Sequence, residues 1–226
     1  MMEGMEETAL EISELGEGAE RQTARRSDLY RLLAGAFAYP DRDLVDAITS
    51  GGLRDALATA AAGLPYPLES PAGDPRLADA GTDAEAIEVD YIRLFDVGTG
   101  GGPPCALYGG HWKGDRLRVM EEAIRFYEHF GVSLPDPRPE LPDHVTVSLE
   151  FLHYLAFRET EARKAGVDPS DYVRGQRDFL ERHVLAWFPL LAHKLPAQQP
   201  HPFFQALVDF ALAFFQADRE YLGSQA

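Results

Sequence analysis

Apolar residues recur at helical spacing almost throughout the chain. Leu29, Leu32, Leu33, Ala36 and Phe37 fall at i, i+3, i+4, i+7 and i+8, which lays one apolar stripe along a helix. Tyr39-Pro40-Asp41 ends that helix, because proline pushes the residue before it out of the α region. Asp41–Thr49 and Leu53–Ala62 read as short helices parted by Gly51-Gly52. Gly63–Gly81 carries Pro65, Pro67, Pro71 and Pro75 and reads as a long loop. Thr82-Asp83-Ala84-Glu85 has the form of a capping box, and the helix behind it sets Ile87, Tyr91, Leu94 and Phe95 on one face.

The second half follows the same logic. Val97–Gly114 holds seven glycines and two prolines and is expected to be a loop. Asp115–Phe130 is a helix with Leu117, Met120, Ile124 and Tyr127 on one stripe, stopped by Gly131. Val132–Pro142, with four prolines, is expected to be extended. Asp143 reads as the N-cap of a helix running to about Ala165, closed by Gly166. Asp168-Pro169 opens the next, which carries Tyr172, Phe179, His183 and Trp187 and breaks at Pro189. A last, Phe-rich helix covers about Phe203–Tyr221. With no alternating strand pattern and no fixed repeat, the fold is expected to be all-α: a single-domain, multi-helix bundle of about eight unequal helices. The expected boundaries are an acidic, disordered N-terminus over 1–22, the helical domain over 23–221 and a short tail over 222–226.

Charge and composition narrow the function classes. The net charge of −16 leaves no basic footprint for a nucleic-acid backbone. It suits a cationic partner, or simply solubility. Lysine is scarce, at Lys113, Lys164 and Lys194 only. One cysteine, Cys105, makes neither an internal disulfide nor a thiolate cluster and fits a reducing compartment. No apolar run approaches the ~20 residues of a membrane span, so no membrane insertion is expected. Met1–Glu20 lacks the apolar core of a signal peptide. Arg25-Arg26 resembles an export signal, but the Leu29–Phe37 pattern behind it is amphipathic and interrupted by Asp28 and Arg31.

Candidate chemistry is sparse. Gly98-Thr99-Gly100-Gly101-Gly102 lacks the Gly-Lys-Ser/Thr of a phosphate loop and runs into Pro103-Pro104. Glu150-x-x-His153 occurs once, whereas di-iron bundles use the motif twice. Neither Cys105 nor Ser148 sits in a nucleophile turn. Glu140, Asp143 and His144 form a polar step at a helix start, open to two readings. Asp143 caps the helix with His144 in its first turn, or the three face a groove where a carboxylate meets a guest arginine.

Several segments in order carry a family resemblance. They are Leu29-Tyr30-Arg31-Leu32-Leu33 with Phe37 and Tyr39-Pro40, then Asp90-Tyr91-Ile92-Arg93-Leu94-Phe95, then Pro103-Pro104-Cys105-Ala106-Leu107-Tyr108. Phe126-Tyr127 with Phe130-Gly131 comes next, then Glu140-Leu141-Pro142-Asp143-His144 and Leu149-Glu150-Phe151-Leu152. From about Ser27 to Phe215 the chain resembles the TorD/DmsD/NarJ redox-enzyme maturation chaperones, especially those serving type II DMSO-reductase-like enzymes.

The resemblance implies a cytoplasmic chaperone that is not an enzyme and carries no cofactor or metal. It would bind the twin-arginine leader or N-terminal segment of an apo molybdoenzyme catalytic subunit and hold it for cofactor insertion. It also implies a peptide-binding set of Tyr91, Leu94, Phe95, Pro104, Tyr108, Glu140, Asp143, His144, Glu150 and Phe151. His183 and Trp187 resemble the family's late His…Trp helix. The sequence leaves open a homodimer, formed by swapping helices about Val132–Pro142. Ala106-Leu107 departs from the serine many members carry before the loop tyrosine. The rival readings are a helical metal-dependent oxidoreductase built on Glu150 and His153, and a generic helical adaptor.

Overall fold

The computed structural model describes residues 18–68, 73–78, 84–97, 102–134 and 140–225. Among these, the chain forms α1 (Ala19–Ala36), α2 (Arg42–Thr49), α3 (Gly52–Ala61), α4 (Ala84–Tyr91), α5 (Gly109–Lys113), α6 (Arg116–His129), α7 (Val145–Lys164), α8 (Ser170–Phe179), α9 (Phe188–Lys194) and α10 (Pro202–Gln225). Wider π-type turns extend α4 through Ile92–Asp96 and α8 through Leu180–Val184. The described residues contain no strand, only an isolated antiparallel bridge between Tyr108 and His144.

All eight expected helices are present, and two short ones are added. The first, α5, lies inside the expected Val97–Gly114 loop. The second, α9, arises because Pro189 opens a helix as readily as it ends one: it occupies the first turn, where its missing N–H has no helical partner to lose. The Pro-rich 63–81 stretch likewise contains one 3-10 turn, Pro75–Leu77, capped by the Asp74 side chain. Helix α1 starts at Ala19, ahead of the expected boundary at Thr23. The Thr82 capping box and most of the Gly98–Gly102 run lie outside the described residues, as does the centre of the Val132–Pro142 segment.

Helix α7 is the axis of the molecule. It buries Val145, Leu149, Leu152 and Ala156 but also Thr146, Ser148, His153 and Glu159, so it is covered on nearly every side. Helices α1 and α8 both run antiparallel to it. Ser27 meets His153 while Thr23 and Arg26 meet Glu159; Phe151 meets Phe179 while Arg158 meets Tyr172. Helix α10 closes the core with Phe203, Phe204, Phe210, Phe214 and Phe215, all buried.

A polar knot welds these four helices. Arg26 is wholly buried; it donates to Asp218 Oδ2 of α10 at 2.9 Å, to Gln176 of α8 at 2.7 Å and to Glu159 of α7 at 3.1 Å. Tyr30 and Tyr66 both donate to Asp218. Burial opposes the guanidinium charge, but Asp218 and Glu159 more than offset it and hold Arg26 protonated. Arg26 of the arginine pair is therefore a core residue of a folded helix.

Candidate functional site

The strap from Gly102 to Tyr108 is tied down at both ends. Cys105 N–H donates to Leu94 O at 2.9 Å, on the π-type turn after α4. Val145 N–H donates to Leu107 O at 2.8 Å and Gly109 N–H to Asp143 O at 3.0 Å, which pins the strap to the start of α7. Trp112 of α5 donates its indole N–H to Ala106 O at 2.9 Å. The strap hides Cys105, whose thiol is fully buried, with burial pushing its pKa up.

Asp143 does not cap α7. His144 does: its Nδ1 accepts from Thr146 N–H at 3.3 Å and lies 2.6 Å from Thr146 Oγ1. Asp143 instead turns to the strap, where Oδ2 accepts from Gly110 N–H at 2.8 Å. The cause is long-range. Glycines at 109 and 110 let α5 press against this corner, since a Cβ on Gly110 would stand 2.8 Å from Arg116 Cα and 2.9 Å from Asp143 Oδ2. The other carboxylate oxygen, Oδ1, is buried and has no hydrogen-bond partner. Burial pushes the Asp143 pKa up, opposed by the Gly110 N–H and by Arg116. A similar cap shift occurs at Asp168: Pro169 takes the position before α8, and Asp168 accepts from Ser170 N–H at 3.0 Å.

Around Asp143 the corner alternates acid, aromatic and base. Tyr108 donates its hydroxyl to Glu140 Oε2 at 2.7 Å, and its ring meets His144 edge-on at 4.7 Å between centroids. The Arg116 guanidinium lies over the same tyrosine, 5.7 Å from the ring centre. Burial, then Glu140, drive the Tyr108 phenol upward. Burial alone brings His144 down to about 4, so it is neutral at pH 7 and free to accept at Nδ1. Beside them opens a cleft of about 360 Å3 lined by Asp96, Pro103, Tyr108, His111 and Arg116 among others.

The expected site residues divide in two. Tyr108, Glu140, Asp143 and His144 meet in this corner, with half-buried Pro104 on the strap. The others support it from within. Leu94 and Phe151 are wholly buried, Phe151 against Tyr127 and Phe179. Tyr91 and Phe95 form an aromatic cluster with Phe204, and Tyr91 donates to Phe37 O at 3.1 Å. Glu150 is half-buried on α7, six positions beyond His144. The sequence reading missed Gly110, Arg116 and Asp96. The Gly109-Gly110 pair was a signal for the first, as a point where backbones approach closely; nothing in the pattern marks the other two.

His153 Nδ1 is engaged by the hydroxyl of Ser27 at 2.8 Å. Among the described residues no group of three or more His, Cys, Asp or Glu is placed to hold a metal ion. Trp187 donates to His183 O at 2.6 Å, which closes the π-type turn after α8.

Comparison with known proteins decides the family. The family model described as "Nitrate reductase delta subunit" matches residues 50–193, more than half of the chain. The chain belongs to the nitrate reductase delta subunit family. This is the TorD/NarJ group that the motif order resembled. Among its relatives, the chlorate reductase assembly chaperone protein of Ideonella dechloratans is 33% identical over 75% of this chain and 76% of its own length. The selenate reductase assembly chaperone protein of Thauera selenatis is 32% identical over 87% and 89%. The dimethyl sulfide dehydrogenase assembly chaperone protein of Rhodovulum sulfidophilum is 35% identical over 76% and 70%. The family match includes the strap, α5 and the Glu140–His144 corner.

Proposed function

We propose that this protein is a cytoplasmic assembly chaperone for a type II DMSO-reductase-like molybdoenzyme. It captures the leader or N-terminal segment of the apo catalytic subunit and releases it after cofactor insertion. The observation that carries the reading is the match, over most of the chain, to relatives named as assembly chaperones of chlorate, selenate and dimethyl sulfide enzymes.

The corner supplies the chemistry of capture. Asp143 Oδ1 is an acceptor without a donor, buried where an ordinary carboxylate is destabilised. A guest arginine inserted between strap and α7 would satisfy it through a charge-assisted hydrogen bond. Glu140 and Asp96 extend the acidic side, and the Tyr108 ring offers an apolar face beside them. The net charge of −16 speeds the encounter with a cationic leader more than it deepens affinity. Capture is non-covalent and no residue acts catalytically.

The test is affinity purification of the tagged chain from its native host, followed by calorimetry with a synthetic N-terminal peptide of the retained subunit. Retention of a molybdopterin subunit and saturable binding of its peptide are expected. Recovery of the chain without any molybdoenzyme subunit, or a peptide that does not bind, overturns the reading.

A further inference from the structure

One cleft of this acidic protein is basic. It encloses about 720 Å3 between α6 and the turn that follows α8, and Asp143 is not among its lining residues. Lys113, Arg118, Arg125 and Arg182 line it, with His129, His183, Phe126 and one carboxylate, Glu122. Glu122 pairs with Arg118 at 2.9 Å, and Arg125 reaches Glu121 only at 3.9 Å. Lys113 Nζ is held by Arg182 O at 3.2 Å, and the Arg182 guanidinium has no carboxylate within ion-pair distance among the described residues. His183 is more than nine-tenths buried against Phe126 and Phe179, and its Nδ1 has no hydrogen-bond partner. Cationic groups left unneutralised, above a buried imidazole nitrogen with no partner, make a built receptor for carboxylates.

The chain carries a complementary segment. Residues 1–17 hold six glutamates (Glu3, Glu6, Glu7, Glu11, Glu14 and Glu17) and no lysine or arginine. They join the fold at α1, which runs parallel to α8 because both are antiparallel to α7. Arg26 and Gln176 are hydrogen-bonded neighbours on those two helices. Counting back to Gly18 and forward to His183 puts the two ends roughly 22 Å apart along the helix axes. Seventeen extended residues reach at most about 56 Å, so the span leaves several glutamates to enter the cleft. Tethering gives the segment an effective concentration on the order of millimolar, which no free acidic peptide matches at ordinary abundance.

We infer that the basic cleft between α6 and the end of α8 is an intramolecular docking site for the acidic segment Met1–Glu17. Docking covers this basic cleft and keeps other polyanions off it. It is independent of guest capture at the Asp143 corner.

A spin label tests this in the full chain. Cys105 is fully buried, so a nitroxide attached to Thr8→Cys reports on the segment alone. Amide signals of Lys113, Arg125, Arg182 and His183 should weaken in the labelled protein. They should recover in about 0.5 M salt, where the Debye length falls to a few ångströms. They should also recover when exposed Arg125 and Arg182 are both changed to Gln, a substitution that leaves the melting temperature unchanged. Signals that stay intact, or weakening that survives both salt and the double substitution, would overturn the proposal. Equal weakening in a mixture of unlabelled isotope-enriched chain with labelled unenriched chain would also overturn it, because a second copy would then supply the segment.

Discussion

Replacing Asp143 in two ways separates its structural bond from its charge. In Asp143→Ala the Gly110 N–H loses its acceptor in a buried corner. An unsatisfied buried donor costs about 1–3 kcal/mol. At about 2–4 °C per kcal/mol for a chain of this size, the melting temperature should fall by roughly 2–12 °C. Asp143→Asn keeps an oxygen for Gly110 and removes the charge. The wild-type carboxylate has a pKa raised by burial, so its ionisation opposes folding. Its stability contribution is complete below the unfolded carboxylate pKa of about 3.9 and is lost as pH rises through the folded value. The stability of Asp143→Asn relative to wild type should therefore rise from about pH 4 toward neutrality, staying within about 1 kcal/mol overall. Guest binding should follow the opposite order. A charge-assisted bond to a guest arginine is worth about 1.5–3 kcal/mol, so Asp143→Asn should weaken a leader peptide by roughly 10- to 150-fold while melting near wild type. Calorimetry and denaturant melts across pH measure both effects. Wild-type affinity in Asp143→Asn would refute direct recognition and leave Asp143 as the anchor of α5. A melting temperature as low as that of the alanine variant would refute the Gly110 argument.

Gly110→Ala should unseat α5 from the corner, because its Cβ meets Arg116 backbone at 2.8 Å. About 1–3 kcal/mol of stability should be lost, read by thermal melt. Gly35→Ala in α1 meets nothing within 4 Å and should instead gain roughly 0.5–1 kcal/mol. Arg26→Met leaves Asp218 in the core without its cationic partner and should cost about 3–5 kcal/mol, whereas Arg25→Gln, on the partly exposed neighbour, should stay within about 0.5 kcal/mol. Equal losses at the two arginines would contradict the buried knot. Tyr108→Phe removes the hydrogen bond to Glu140 but keeps the ring against His144, so leader affinity should drop by less than about tenfold with the fold intact.

The helices were legible because their signals are local. Stripe, cap and stop lie within a few residues of one another, and eight helices follow from them. Helix α5 was not legible: five residues starting with two glycines carry no stripe, and the helix exists because Arg116 and Asp143 pack against its backbone. The Asp143-His144 step shows the same limit. Both side chains can cap α7, and the choice is decided by a Gly110 N–H arriving from 33 positions upstream. The knot lies between these cases. Arg26 shares the apolar face of Leu29, Tyr30 and Leu33, and Asp218 shares that of Phe214, Phe215 and Leu222. A charge on a buried stripe signals an opposite charge elsewhere, but helical periodicity does not say which one.

The two polar clusters divide the work of the fold because their hydrogen-bonding accounts differ. In the Arg26 knot each carboxylate is engaged: Asp218 takes one guanidinium and two phenols, and Glu159 takes Arg26, Gln176 and Arg163. Opening it would strand buried charges, so α1, α7, α8 and α10 should open together rather than singly. The Asp143 corner is held by single hydrogen bonds, some from backbone and some from the Asp143, Tyr108 and Trp112 side chains, and it keeps one carboxylate oxygen unsatisfied. Under the proposed function, a guest arginine entering between strap and α7 would supply the donor that Asp143 Oδ1 lacks. A chaperone that grips a segment and later releases it, as proposed, would draw on this asymmetry. If the corner were as fully satisfied as the knot, a guest would have to break more than it makes.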